Sequence, residues 1–313
     1  MQSLDPSLLS EGDALPAPSR ELVTLCHELM LHADIDSGRP RRAYLLLDRW
    51  QANPLASAFE ARYPEQAAAR CAVPDPMFKG REHDAPCLVQ LPDDSWHREP
   101  GGASAQVFAQ EWLAGLLGVA WDASLQRLSR QHFCAVLLSK AGPKAISRHL
   151  ARLGDQWPEG ASTLRLFRYH DARVMQRVWP TLAPAQQRCW LGPIDQWWAL
   201  RQPWGAWTLE EDDERARWQV RWFGPNEAPP KSPSQLDIRR LFNATQWAMA
   251  HVAPVGNRVW ARCAQRGIAV QNQPDGEAMD RLLKQGIASR LSDEDLENFV
   301  WRGWQIEKSE GEK

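Results

Sequence analysis

The densest group of reactive side chains in this sequence is Arg165, Arg168, His170, Asp171 and Arg173, all within nine positions. A histidine titrates near neutral pH and a neighbouring carboxylate can fix its tautomer. His170 oriented by Asp171, with Arg173 close by, would therefore give a small hydrolase or nuclease a general base. Adjacent residues at a strand end point in different directions, however, which makes a His170–Asp171 pairing geometrically poor. The other reading is structural. Asp171 caps the following helix by accepting from the free N–H groups near Arg173 and Val174, and Arg168 or Arg173 is its ion-pair partner.

Beyond this cluster, chemical signatures are sparse. There is no Gly-rich phosphate loop, no Gly-x-Ser-x-Gly elbow, no His-Glu-x-x-His and no EF-hand pattern. The eight histidines are dispersed, and no two stand three or four residues apart. Six cysteines (Cys26, Cys71, Cys87, Cys134, Cys189, Cys263) lack any Cys-x-x-Cys pair, as expected of reduced core thiols. No metal and no cofactor is expected. With 37 Lys and Arg against 39 Asp and Glu, the chain has no global basic field, which disfavours nucleic acid as the main partner.

Tryptophan is over-represented: 17 residues against 3 Tyr and 8 Phe, with nine of the Trp between Trp179 and Trp247. Trp buries a large area while keeping one N–H donor, and it is enriched in binding hot spots. Most of these side chains are expected in the core. Trp197, Trp198, Trp204 and Trp207 are the better candidates for a contact surface. A carbohydrate-stacking platform of Trp197, Trp198 and Trp204 would require secretion, and the first 18 residues have no basic start and no apolar stretch. No run of about 18 uncharged apolar residues occurs, so no membrane span is expected and the protein reads as cytoplasmic.

The elements that must position these residues can be read from periodicity. Residues 1–18 form a loose tail, and a helix starts behind Ser19 with Leu22, Leu25, Cys26, Leu29 and Met30 on one face. Short apolar runs at Ala43–Leu47, Cys87–Leu91 and Ala135–Leu138 suit buried strands. Between the last two, an amphipathic helix lies behind Ser104 and uses Val107, Phe108, Trp112, Leu113, Leu116 and Leu117. A loop and helix follow over Ser139–Trp157, then a strand at Thr163–Tyr169 and helices at Ala172–Trp179 and Pro184–Trp190. Trp204–Thr208 and Arg217–Phe223 read as later strands.

Four prolines make residues 225–234 the best linker. Beyond it the pattern is helical only. Ser234 with Asp237 resembles a capping box for a helix presenting Ile238, Leu241, Phe242, Thr245, Met249 and Val252. Further helices span about Glu277–Lys284 and begin at Ser292, where Asp295 supplies the reciprocal cap. The expected fold is α/β, a mixed sheet with flanking helices (19–224), followed by a small all-helical C-terminal lobe (235–306).

The segment Leu164-Arg165-Leu166-Phe167-Arg168-Tyr169-His170-Asp171-Ala172-Arg173-Val174, followed by Leu191-Gly192-Pro193-Ile194 and Trp197-Trp198, resembles the signature of the type VI secretion adaptor chaperones called Tap or TEC. That family was long described only as a domain of unknown function. Tyr44-Leu45-Leu46-Leu47-Asp48 resembles its apolar strand ending in Asp, and the runs at Cys87–Leu91 and Ala135–Ser139 resemble its middle portion. The likeness spans about residues 42–208. Where the family more often has an aromatic residue, Asp and Pro, this chain has His170-Asp171-Ala172; alanine still permits the helix start.

The resemblance implies a cytoplasmic adaptor that holds a cognate type VI effector and delivers it to a spike protein of the VgrG type. It implies that Phe167, Arg168, Asp171, Arg173, Gly192 and Pro193 build the fold around the signature.

Overall fold

The computed structural model describes residues 41–92, 113–118, 132–200, 218–222, 236–269 and 272–311. The tail, the helix behind Ser19, most of the Ser104 helix, Trp204, Trp207 and the 225–234 linker lie outside these residues.

The strands are β1 (Arg42–Leu47), β2 (Cys71–Ala72), β3 (Cys87–Gln90), β4 (Phe133–Ser139), β5 (Asp155–Gln156), β6 (Arg165–Leu166), β7 (Gln196–Leu200) and β8 (Trp218–Trp222). Six of them form one sheet in the order β2-β3-β1-β4-β7-β8, and β5 pairs with β6 separately. Every described pairing is antiparallel, where a mixed sheet was expected. The reason is that β1 and β4 are apolar without alternation because both faces are covered, and such a run carries no information about pairing direction.

The helices are α1 (Pro54–Arg62), α2 (Pro64–Ala68), α3 (Pro143–Gly154), α4 (Ala172–Val178), α5 (Pro184–Leu191), α6 (Ala244–Gln265), α7 (Gly276–Ala288) and α8 (Asp293–Gly311). One sheet face, with Tyr44, Leu46, Leu137 and Trp197, packs against α3, α4 and α5. The other, with Leu45, Val89, Val136 and Trp198, packs against α1 and helical residues 113–118, where Leu113, Leu116 and Leu117 are buried as their spacing predicts. A register shift at Leu46/Leu47 pairs Leu47 with Phe133 and lets Cys134 and Ala135 both join the first face.

The C-terminal helices enclose their own apolar core of Val255, Val259, Trp260, Leu283, Val300 and Trp304. The start of this region belongs to the first core instead: Ile238, Leu241, Phe242, Ala250 and Ala253 pack among Phe167, Trp179 and Trp190. Gln156 stitches it there, donating to the Leu153 and Ile238 carbonyls at 2.8 Å and accepting from Leu241 N–H at 3.3 Å. The helix expected from Ser234 is in two pieces. Asp237 caps a short 3-10 turn (Ile238–Arg240), and a true capping box of Asn243 and Gln246 starts α6, so Thr245 is exposed and not on the inner face.

Candidate functional site

Asp171 caps α4 as its sequence position predicts. Its Oδ1 accepts from Arg173 N–H at 3.0 Å and from Arg173 Nε at 2.9 Å, and its Oδ2 accepts from Arg173 Nη2 at 2.9 Å. A fourth donor comes from a distant element: Asn257 Nδ2 in α6 donates to Oδ2 at 2.7 Å. Arg168, partly exposed, stands 3.9 Å away. Burial alone would raise the Asp171 pKa, but the Arg173 guanidinium outweighs it and holds the carboxyl far below the usual carboxylate range. Both side chains are almost fully buried, so the pair is a clamp closed on all sides by its own donors.

His170 pairs with a different carboxylate. Its Nε2 lies 3.7 Å from Asp48 Oδ1 at the end of β1, and its ring meets Tyr169 edge-on. Asp48 thus partners His170 and Asp171 partners Arg173, with the His170 ring still near enough for its charge to act on Asp171.

The rest of the signature is packing. Phe167 touches Trp190 and Phe242 with ring centroids 5.1 and 4.7 Å apart. Gly192 adopts φ +53°, ψ −112°, a conformation open to glycine, and a Cβ there would stand 2.1 Å from His149 Cε1. The His149 ring lies against this bare backbone, and its Nε2–H donates to Trp190 O at 2.6 Å; burial lowers its pKa. The Pro193 carbonyl accepts from Ser139 Oγ, tying the α5–β7 corner to the end of β4.

Trp197 and Trp198, expected as contact surface, are 1 % and 4 % exposed, one on each face of the sheet. They are core residues, because successive positions of a strand covered on both sides both point inward. Trp198 Nε1 is satisfied by Gln196 Oε1 at 2.9 Å.

Two further polar clusters escape the sequence reading. Arg177 is completely buried between α4 and the C-terminal helices, with Nε 2.8 Å from Asp280, Nη1 donating to Ala253 O at 3.1 Å, and its guanidinium over the Trp260 ring. Burial pushes its pKa down, and Asp280 opposes that. Asp75 and Asp155 face each other beside Gly154 and Tyr169; a Cβ on Gly154 would stand 2.6 Å from Asp75 Oδ2. Burial raises the Asp75 pKa to about 6, and the Asp155 carboxyl beside it adds to this. Arg239 flanks Asp155 at 3.5 Å. Only spacing across the chain creates these clusters, and an isolated Arg177 or Asp75 carries no local signal.

No curated protein and no solved structure matches the chain. Residues 43–189 match the family model described as a domain of unknown function (DUF4123). The match runs from β1 into α5 and so includes Asp48, Phe167 and the Asp171–Arg173 clamp, while Gly192, Pro193, Trp197 and Trp198 lie beyond it. Just under half of the chain, including the clamp, is thus similar to a family associated with type VI secretion effector adaptors.

Proposed function

We propose that the protein is a non-catalytic adaptor that holds one type VI effector and loads it onto its cognate VgrG-type spike before secretion, acting in the cytoplasm. The observation that carries this reading is the family match over 43–189, within which the segment Arg168 to Arg173 forms a scaffold. Asp171 is saturated by donors and His170 points elsewhere, so the groups that a hydrolase would need are spent on holding α4 against β1 and α6. A buried, fully hydrogen-bonded ion pair fixes one arrangement of the surrounding elements, which suits a surface that must present a constant shape to its partners.

Co-expression of the tagged chain with the spike and effector encoded beside its gene tests the proposal. The expected result is recovery of the effector in a stable complex, with the spike joining when all three are present. Recovery of neither neighbour would overturn it.

A further inference from the structure

We infer that the outer face of α3 is a docking surface for an acidic protein segment, and, resting on the adaptor reading above, that this segment belongs to the client effector. The helix is sharply two-sided. Ile146, Ser147, Leu150, Ala151 and Leu153 are buried against the sheet, while Lys144, Arg148 and Arg152 are exposed four residues apart on the opposite face. They form a cationic stripe about 12 Å long at the helical rise. The helix contains no acidic residue.

Cations at i, i+4 and i+8 repel one another and weaken the helix that carries them, so such a stripe is usually relieved by interspersed carboxylates. Here none of the three side chains has a hydrogen bond, ion pair or ring contact among the described residues. Elsewhere the arginines are commonly engaged: Arg49 faces Asp84, Arg258 faces Glu297, and Arg262 lies over Trp301. The carboxylates at the two ends of α3 are already committed. Asp155 is held by Asp75 and Arg239, and Asp195 by Arg41 and the Lys140 N–H.

Trp157, two residues past the α3 C-cap, adds an aromatic anchor: it is 41 % exposed although its Nε1–H is already satisfied by Ala161 O. Arginine and tryptophan are both enriched in interface hot spots. The complementary partner is a segment with carboxylates repeating at helical spacing and an apolar residue at one end. A nucleic acid fits less well, because the stripe is short and the whole chain has a net charge of −2.

The full chain is tested as wild type, as the charge-reversed variant Lys144→Glu/Arg148→Glu/Arg152→Glu, and as a control with Arg290→Glu, in the turn between α7 and α8, and Arg302→Glu on α8. Circular dichroism confirms that each is folded. Each protein is titrated into a fluorescein-labelled glutamate-rich helical peptide and into an oligothymidine of similar length, and is assayed for capture of the neighbouring effector. Wild type and control are expected to bind the peptide, more weakly as salt rises from about 50 to about 200 mM, and the reversed variant at least about tenfold less. Effector capture should fall in parallel while spike capture persists.

Unchanged peptide binding by the reversed variant overturns the inference. So does tighter binding of the oligothymidine than of the peptide. If wild type captures no neighbour, the adaptor reading fails, and the peptide titration still decides whether the stripe is an acidic-segment surface.

Discussion

Asp171 is where a local rule and a long-range one meet. Its capping role follows from its place before an apolar-periodic helix, and its pairing with Arg173 follows from proximity in sequence. Asn257, 86 positions away, has no counterpart in local pattern. Asp171→Ala is expected to cost about 3–5 kcal/mol in urea or guanidinium unfolding, since it strands a buried guanidinium and removes a cap. Asp171→Ala/Arg173→Leu should cost clearly less than the sum of the single changes, because no buried charge is then left unpaired. Additive losses would show that the two residues do not act as a pair. At Gly192 the constraint is steric: Gly192→Ala is expected to destabilise by about 2–4 kcal/mol, combining backbone strain with the collision against His149. Adding His149→Ala should recover the collision but not the strain, and a thermal-melt comparison of the three variants separates them.

At the scale of elements, legibility tracked how local each signal was. The apolar runs at Ala43–Leu47, Cys87–Leu91 and Ala135–Leu138 are strands, and the Ser292 cap begins α8 one residue later. Trp197-Trp198, in contrast, lies in a strand where surface was expected, because a doubly covered strand shows no alternation to read. The break before α6 was hidden for a different reason. Gln156, far upstream, supplies the hydrogen bonds that hold residues 238–241 out of the helix. Gln156→Leu should therefore leave the buried Ile238 carbonyl and Leu241 N–H without those partners, costing about 2–4 kcal/mol. Hydrogen exchange is expected to quicken first at Leu241 and along the start of α6, ahead of β1 and β4. Uniform acceleration across the sheet would contradict that local role.

For the molecule as a whole, two buried aspartates give stability opposite dependences on pH. Asp171 has a depressed pKa when folded, so its contribution is present above the ordinary aspartate value near 3.8 and is lost as pH falls below it. Asp75 is raised to about 6, so the folded state binds the extra proton between about pH 4 and pH 6. Its favourable contribution is complete below the unfolded value and disappears as pH rises through about 6. Above that, ionised Asp75 confronts Asp155 beside the buried Tyr169 hydroxyl, with Arg239 compensating at Asp155. Asp75→Asn should keep the cap on Met77 N–H, since asparagine accepts as well as aspartate there, and its amide can donate to Asp155 where the proton had been. The variant is thus expected to match wild type at pH 4.5 and to exceed it by about 1–2 kcal/mol at pH 8, the worth of a shift of this size reduced by solvent screening. Chemical denaturation at a series of pH values reads this directly. A wild-type profile that is flat between pH 4 and 7, or an Asp75→Asn variant that is less stable at pH 8, would show that the Asp75 carboxyl is not raised in the folded protein.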